Sequence, residues 1–483
     1  MTTLLISLAI LIGGYFVYGL LVEKVFGIDS KRLMPAKTKY DGIDYVEMPT
    51  WKVFLIQFLN IAGLGPIFGA IMGVMFGPAA FLWIVLGTVF AGAVHDFISA
   101  MMSVRSGGDS LPELVGRELG PAVKQIIRVV STVLLVLVGA VFILTPAGLI
   151  AGMTPDWANT TFWIACIFLY YLLATLLPID KLIGRIYPLF GFALLFMAAG
   201  LLYVLLFGGH PIPDGLADGL FNRHAGAETH PIFPMMFVSI ACGAISGFHA
   251  TQSPMMVRCL KNEKLARPVF YGAMVAEGIV ALIWAAAAIT FTGGYEQLSE
   301  YMSAHTTGDM VHDISVGWLG TFGGILALLG VVAAPITTGD TALRSARLTV
   351  ADFLHIDQKK FVKRLLVSLP LFAATFTLML IDFNVLWRYF AWTNQTLAAF
   401  TLWAATVYLA RHRRAYVICL VPAIYMTMVV VSYILVAPSP EGFGLPMSWA
   451  LGIAGMVDLT CVAMFVRYLV LSRRGVLIHD VAY

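Results

Sequence analysis

The chain has 483 residues, of which 60% are hydrophobic and 12% are charged, and its mean hydropathy is +0.88. Soluble proteins carry about 25% charged residues, so this composition excludes a large soluble protein and indicates a polytopic membrane protein. The formal net charge of +3 says little by itself, and we expect no nucleic-acid partner.

Apolar segments follow one another along the chain, each close to the ~20 residues that a helix needs to cross a membrane. They predict an all-α polytopic membrane protein with about 13 transmembrane helices. The segments are 3–23, 53–76, 78–103, 126–145, 161–177, 186–207, 232–256, 269–292, 318–338, 365–382, 387–409, 416–436 and 448–470. The first segment follows no basic region, so we expect a retained span rather than a cleaved signal.

The basic residues assign the connections to two sides of the membrane. If the N-terminus faces outside, 28 of the 30 Lys and Arg residues lie on the opposite side, and the exceptions are Arg223 and Arg388. The connections 146–160, 293–317 and 437–447 contain neither Lys nor Arg. The positive-inside rule therefore predicts an outer N-terminus and a cytoplasmic C-terminus.

Two of the apolar segments are interrupted by glycine, proline and polar residues. The first interruption is 60–66, inside the segment 53–76, and the second is 242–254, inside 232–256. Unpaired backbone survives in a bilayer only where it lines a cavity. Two interrupted segments at corresponding positions of inverted halves indicate the binding site of a secondary transporter.

The interruptions fall at matching places in two sets of five spans. An odd number of crossings separates the sets, so they have opposite orientations. The sequence thus predicts a five-plus-five inverted repeat with one extra N-terminal and two extra C-terminal helices; the alternative is a bundle without internal symmetry. The predicted divisions are 1–52 (first helix and cytoplasmic loop), 53–207 (first repeat), 208–231 (outer loop), 232–410 (second repeat) and 411–483 (two helices and tail).

Polar groups and free backbone at the interruptions are the candidate substrate ligands. Half-helix N-termini attract carboxylates, whereas freed carbonyls attract cations. The alternatives are close helix packing through glycine and, for the histidine, a side chain that is satisfied by a carbonyl. The candidates are Asn60, Gly63, Gly65, Gly243, Ser246, Gly247 and His249.

Two intramembrane carboxylates, Asp96 and Glu277, are candidates for ion coupling, because such groups are costly unless they serve a function. Either could equally be a structural partner. Asp96 follows His95 directly, and we expect adjacent side chains on a helix to have different partners. His95, Asp96 and His249 match no metal-ligand spacing, so the sequence predicts neither a metal site nor a cofactor.

Six short stretches carry a resemblance to a known family: 61–66, 91–97, 105–111, 246–250, 337–347 and 394–398. In this order they resemble the carbon-starvation (CstA) family of bacterial membrane transporters, over roughly residues 50–405. The resemblance implies proton-driven uptake of peptides or of pyruvate-like acids. It also implies the leucine-transporter-like fold of the amino acid–polyamine–organocation superfamily.

The implied fold adds candidates in the second repeat. In that fold the helix after Pro335 faces the first broken helix and helps to bind a coupling cation through hydroxyls and carbonyls. The candidates for ion coupling there are Thr337, Thr338, Asp340 and Thr341.

Four further polar residues belong to the second repeat. Asn394 and Gln395 are candidates for lining the substrate path or, alternatively, for hydrogen bonds between helices. We expect Arg344 and Arg347 to anchor to lipid phosphate.

These features together predict a multi-pass secondary transporter of the bacterial cytoplasmic membrane. It would import peptides or small carboxylates such as pyruvate by proton symport. The alternatives are a Na⁺-coupled nutrient symporter and a membrane nutrient sensor that does not transport. No nucleophile–base–orienter pattern stands out, so we do not expect an enzyme. The expected partners are the small-molecule substrate, H⁺ or Na⁺ and the lipid bilayer, and a homo-oligomer stays open.

Overall fold

The computed structural model describes residues 1–42, 44–152, 154–176, 179–213, 219–356, 358 and 360–473, with all side chains except those of 175, 176, 179–186, 328, 384 and 473. The regular secondary structure of these residues is helical. This agrees with the predicted all-α class. We refer to the predicted extracellular and cytoplasmic sides as the outer side and the inner side.

The helices of the first half follow the predicted apolar segments, and several are divided by turns or π-helical insertions. In chain order they are α1 (Thr2–Phe16), α2 (Tyr18–Phe26), α3 (Pro35–Thr38), α4 (Thr50–Ile61), α5 (Ala70–Val74), α6 (Ala79–Gly87), α7 (Ala93–Arg105), α8 (Leu111–Leu119), α9 (Pro121–Ala151), α10 (Thr160–Leu176) and α11 (Ile179–Phe207). The π-helical insertions are Gly65–Gly69 and Thr88–Gly92.

The second half begins with a short, broken helical region and continues with longer helices. In chain order they are α12 (Phe237–Ser239), α13 (Gly247–Val257), α14 (Gly272–Thr292), α15 (Tyr295–Ala304), α16 (Thr307–Ala327), α17 (Ala333–Leu354), α18 (Phe361–Leu378), α19 (Phe383–Arg411), α20 (Val417–Val436) and α21 (Met447–Arg473). The π-helical insertions are Ile232–Met236, Arg267–Tyr271 and Leu328–Val332, and a 3₁₀ turn spans Glu263–Leu265.

Eight helices among the described residues are long and apolar enough to cross a membrane, and two bent pairs raise the number to ten. Three of the predicted segments meet these criteria less well: α10 is short, 232–257 is broken, and α19 carries a polar middle. The described helices therefore support a polytopic membrane protein, and the count of thirteen spans stays a prediction.

Both predicted interruptions are real breaks, and both are shorter than the sequence suggested. The first break lies at 62–64, between α4 and a helix that resumes at Gly65 with a bend of 53°. The second break lies at 240–246, between α12 and α13. Residues 251–254 were expected to be irregular, yet they continue α13, which contains Pro254 and ends at Val257. A membrane helix tolerates an internal proline when neighbouring groups satisfy the backbone groups that the proline frees.

The two breaks contact each other in the centre of the protein. A Cβ atom added to Gly65 would overlap the side chain of Cys242, and one added to Gly243 would come within 3.7 Å of the backbone of Pro66. Close backbone approach of this kind requires residues without a Cβ atom. The glycines therefore let the two broken helices meet.

Candidate functional site

The first break is held by α17, as the resemblance implied. The Thr338 hydroxyl lies 3.0 Å from the carbonyl oxygen of Leu59 and 2.9 Å from that of Ala334. The Thr341 hydroxyl lies 3.3 Å from Asn60 Oδ1. Hydroxyls of α17 thus take up part of the hydrogen bonding that α4 loses where it ends.

Other polar atoms at the first break have no hydrogen-bond partner among the described residues. They are Asn60 Nδ2 and both amide atoms of Gln57, one turn earlier in α4. Both side chains are fully buried. Buried amides normally have partners, so this group is ready to bind a polar ligand or water. Sequence reasoning missed Gln57, although its place one turn before the break was a usable signal.

The second break is satisfied by fixed side chains of α19. Asn394 Oδ1 accepts hydrogen bonds from the backbone N–H of Phe248 (2.7 Å) and from the Ser246 hydroxyl (3.1 Å). Gln395 Nε2 donates to the carbonyl oxygens of Ala241 (3.2 Å) and Ile245 (3.1 Å). The two predicted residues therefore contact the break, and they brace its backbone.

Thr88 completes this brace from the other side. Its hydroxyl donates to the carbonyl oxygen of Gly243 over 3.1 Å, within the π-helical insertion Thr88–Gly92. Gly278 of α14 packs against the Thr88 side chain, so the hydroxyl is held in place. No pattern in the sequence marks this residue, because a lone threonine in an apolar span usually bonds its own helix.

A chain of four buried titratable side chains runs beside the second break. Asp96 accepts contacts from two histidines: Oδ1 lies 2.8 Å from His95 Nδ1, and Oδ2 lies 2.9 Å from His249 Nδ1. The other ring nitrogen of His249, Nε2, lies 3.5 Å from Glu277 Oε2. All four side chains have no exposed surface.

This chain corrects one expectation. Adjacent His95 and Asp96 were expected to have different partners, but in the first turn of α7 they contact each other, because the two oxygen atoms of the Asp96 carboxylate can each take one histidine. Among the described residues, no group of three or more His, Cys, Asp or Glu residues is arranged to hold a metal ion.

A second buried polar group lies on α17. Asp340 Oδ2 accepts a hydrogen bond from the Tyr187 hydroxyl over 2.7 Å, and the same hydroxyl lies 3.2 Å from the carbonyl oxygen of Thr337. Arg344 and Arg347 follow on the same helix with 1% and 2% of their surface exposed. The expectation that these arginines reach lipid phosphate was wrong, because both side chains turn into the protein.

A large cavity lies on the predicted outer side of this centre, whereas the residues that the structure describes on the inner side leave only a small gap. The outer vestibule, a cavity of about 960 Å³, is lined by residues of 68–75, 144–152, 302–312, 327–332 and 379–388. All of these belong to outer connections or to the adjoining halves of spans. The vestibule therefore opens on the predicted outer side.

On the inner side, side chains join the loops that meet there. Arg258 donates from Nε and Nη2 to the carbonyl oxygen of Gly108, over 3.1 and 2.9 Å. A gap of about 20 Å³ is left between 251–258 and 345–349, room for about one water molecule. No substrate could leave through it.

A membrane protein whose two broken helices meet at a buried polar centre beneath an open vestibule has the architecture of a secondary transporter. Residues 1–161 and 156–316 match the family described as carbon starvation protein CstA, so the match spans residues 1–316 of 483. The chain belongs to this family. It is a transmembrane protein of a transporter family and not an enzyme.

Two relatives illustrate how the chain compares. An uncharacterized membrane protein of Haemophilus influenzae is 43% identical over 342 residues, which are 61% of this chain and 92% of that protein. The pyruvate/proton symporter BtsT of Escherichia coli is 30% identical over 343 residues, which are 57% of this chain and 47% of that protein. Other matching relatives are named peptide transporter CstA, and the chain spans less than half of their length in Escherichia coli and Mycobacterium tuberculosis.

The fold also resembles that of a solved transporter. The crystal structure of a manganese transporter of Eremococcus coleocola superposes with a TM-score of 0.51 at 12% identity, covering 89% of this chain and 97% of that one. At this identity the likeness concerns the fold alone. It agrees with an all-helical transporter architecture.

Proposed function

We propose that this protein is a secondary active transporter that imports peptides or small carboxylates such as pyruvate by proton symport. It lies in the bacterial cytoplasmic membrane with its N-terminus outside and its C-terminus inside. Residues 53–207 and 232–410 form the inverted repeats. The relatives named as peptide transporters and as a pyruvate/proton symporter support this choice of substrates.

The observation that carries the proposal is the buried chain Asp96–His249–Glu277. Histidine exchanges protons near neutral pH more readily than any other side chain, and it lies here between two carboxylates. A proton bound by this chain changes the charge of a fully buried site. Since buried charge is costly, such a change favours one conformation over another, which is what coupling requires.

The first break supplies the substrate groups in this proposal. Asn60 Nδ2 and Gln57 Nε2 are buried donors without a partner among the described residues. Both peptides and pyruvate carry a carboxylate, which accepts hydrogen bonds from such amides. The N-terminus of α13, which begins at Gly247 on the other side of the contact between the breaks, adds the positive end of a helix dipole.

The open outer vestibule supplies the entry route. A substrate and a proton arriving together would let the first two spans of each repeat, 53–103 and 232–292, rock against the remaining spans. That movement would close the vestibule and open the inner side. The proton and the substrate would then be released into the cytoplasm.

Uptake into proteoliposomes tests the proposal. Purified protein is reconstituted, and the uptake of radiolabelled pyruvate and of dialanine is measured with and without an imposed inward proton gradient. We expect the gradient to accelerate uptake of at least one of them. Equal uptake with and without the gradient would exclude proton coupling.

Variants of the buried chain identify the coupling residue. His249→Gln keeps the hydrogen-bonding size but removes the titrating ring, so we expect gradient-driven uptake to fall about a hundredfold while substrate exchange without a gradient persists. His210→Gln is the matched control, because its side chain is exposed on the predicted outer side and is not among the residues that line the vestibule. An unchanged response of the His249 variant to the gradient would exclude this histidine.

Sodium coupling is the second candidate, and one observation favours it. The Thr338 hydroxyl lies within 3.0 Å of the carbonyl oxygens of Leu59 and Ala334, so three oxygen atoms are gathered at the first break. Oxygen ligands of this kind suit hard cations. Uptake that is driven by a sodium gradient at constant pH, and abolished in Thr338→Val, would favour this candidate over proton symport.

A further inference from the structure

The inner half of α17 carries two buried positive charges that have no role in the proposed function. Arg344 and Arg347 have 1% and 2% of their surface exposed. Arg344 donates from Nη2 to the carbonyl oxygen of Ala174 over 2.7 Å. Arginine stays charged in proteins, so two buried positive charges require anions nearby.

No Asp or Glu side chain among the described residues forms a close ion pair with Arg347. Its buried atoms Nε and Nη1 have no hydrogen-bond partner among the residues that the structure describes. The charges of Asp340 and Asp44 act on it from a distance. Asp340 accepts a hydrogen bond from Tyr187 with Oδ2, and neither of its oxygen atoms forms a hydrogen bond or a close ion pair with Arg347.

Helical geometry places Arg347 on the route from the substrate site to the inner side. It follows Asp340 by seven residues, which puts both on one face of α17 and places the arginine about 10 Å closer to the inner side. The same helix contacts the first break through Thr338. A substrate that leaves the break along α17 towards the inner side would therefore pass Arg347.

This route is shut in the structure. α4 packs on α11, where Gly191 lies against the backbone of Leu55. α4 is also fastened to α17 by the hydrogen bond from Thr338 to the carbonyl oxygen of Leu59. Rocking of α4 away from these helices would open the inner side and expose the guanidinium group of Arg347.

We propose that Arg347 binds the carboxylate of the transported substrate at the inner end of the path once the inner side opens. The inference rests on the proposed import of carboxylate-bearing substrates, and it assigns the release step to a residue that is buried in this structure. The guanidinium group matches a carboxylate in charge and in its forked hydrogen-bonding geometry. It would be a substrate-binding residue specific to the inner side.

The test compares substrate affinity on the two sides of the membrane. In proteoliposomes with defined protein orientation, radiolabelled pyruvate and dialanine are offered in separate arms, either to the outer or to the inner side. For Arg347→Gln we expect KM on the inner side to rise about tenfold or more, since one charge-assisted contact is lost, and KM on the outer side to change less than about twofold.

Two further variants separate binding from folding. Arg347→Lys keeps the charge but not the fork, so we expect about a threefold rise of KM on the inner side. Lys360→Gln removes a positive charge from an exposed residue on the same side and should change neither KM. An unchanged outer KM in Arg347→Gln is itself proof that the variant is folded.

The outcomes separate this inference from the proposed function. If the wild-type protein transports and Arg347→Gln alters both sides equally, or neither side, the inference is wrong while the proposed function stands. If the wild-type protein transports neither substrate, the proposed function fails. In that case, thermal unfolding of the purified protein with and without pyruvate tests the carboxylate site. Stabilisation by pyruvate that is lost in Arg347→Gln but kept in Lys360→Gln supports the site. Any other result overturns it.

Discussion

The two breaks meet in the centre of the molecule, yet they are stabilised in different ways. At the second break, Asn394, Gln395 and Thr88 hold the freed backbone groups with fixed hydrogen bonds. At the first break, α17 holds one carbonyl oxygen, while the amides of Asn60 and Gln57 keep atoms without partners among the described residues.

This difference divides the work of a transporter between two regions. A break whose backbone is held by side chains of neighbouring helices is rigid, and it positions the chain of His249, Asp96 and Glu277 beside it. A break with unpaired buried donors is unfavourable when empty, so a ligand that satisfies them is bound more tightly. The comparison indicates that the region around the second break, 240–246, carries the titratable groups, whereas the region around the first break, 62–64, binds the substrate. We call these regions the braced half and the receptive half.

The contact between the breaks gives the largest expected effect. Gly65→Ala would place a methyl group on the side chain of Cys242, so we expect transport to be abolished. Cys242→Gly removes the opposing Cβ atom, after which the nearest atom lies 3.4 Å away. The double variant should therefore recover part of the uptake that the single variant loses.

Gly452→Ala is the matched control for this pair, because an added Cβ atom meets nothing within 4 Å there. It should leave uptake in proteoliposomes unchanged, and it also gains helix propensity. Full activity of Gly65→Ala, or a double variant no better than the single one, would show that the breaks need not touch.

Loss of the brace gives the next largest effect, and it concerns stability. Asn394→Ala leaves the N–H of Phe248 and the Ser246 hydroxyl without their acceptor. Unsatisfied buried donors are costly, so we expect the free energy of unfolding to fall by about 2 to 4 kcal/mol. Denaturation of the purified protein in detergent, followed by tryptophan fluorescence, measures this change.

The control for the brace lies two residues further along α19. The Thr396 hydroxyl bonds only to the carbonyl oxygen of Trp392 in its own helix, over 2.9 Å. Thr396→Ala should therefore lower the free energy of unfolding by less than about 1 kcal/mol. Equal losses of stability in Asn394→Ala and Thr396→Ala would mean that the hydrogen bonds of Asn394 to the second break contribute no more than one ordinary hydroxyl bond within a helix.

The same substitution in each break distinguishes the receptive half from the braced half. Gln57→Leu removes buried amide atoms that have no partner among the described residues, so we expect stability to be unchanged or higher, and KM for the substrate to rise about tenfold. Gln395→Leu removes donors to two carbonyl oxygens and should lower stability instead. Thermal unfolding and uptake kinetics of both variants measure these effects. If stability and KM changed alike in the two variants, the division of roles would be contradicted.

The sequence predicted the breaks and the helices that contact them, because glycine, proline and polar residues are unfavourable inside apolar segments unless they line a cavity. The family resemblance also placed Thr338 opposite the first break, whereas Asn394 was predicted only to line the substrate path or to bond between helices, and its contact with the second break came from the structure. Sequence reasoning missed Gln57, although the place of this residue one turn before the first break was a usable signal, and it could not reveal Thr88, whose role depends on which neighbouring helix faces it. Arg347 was misplaced for the same reason: the charge pattern reports the side of the membrane, not whether a side chain points to lipid or to protein.

The smallest expected effect concerns how the brace is anchored on the inner side. α19 ends at Arg411, whose Nη2 donates to Glu118 Oε1 over 2.8 Å, in the amphipathic helix α8 outside the membrane. Burial raises the pKa of Glu118 to about 7, against the opposing charges of Arg411 and Arg117. Between about pH 4.5 and 7 the folded protein keeps a proton that the unfolded chain has lost, so this group makes stability fall as the pH rises.

Glu118→Gln removes that fall. We expect the stability of this variant relative to wild type to increase between pH 5 and 7, on the order of 1 kcal/mol, and to level off at about pH 8, where Glu118 is ionised in the folded protein too. Glu113→Gln is the control, because hydrogen bonds from Lys124 and Arg128 outweigh burial and lower the pKa of Glu113. It is ionised in both states over this window, so its difference from wild type should be constant. Thermal midpoints at pH 5, 6, 7 and 8 measure both differences, and parallel curves for wild type and Glu118→Gln would show that the anchor of α19 does not titrate.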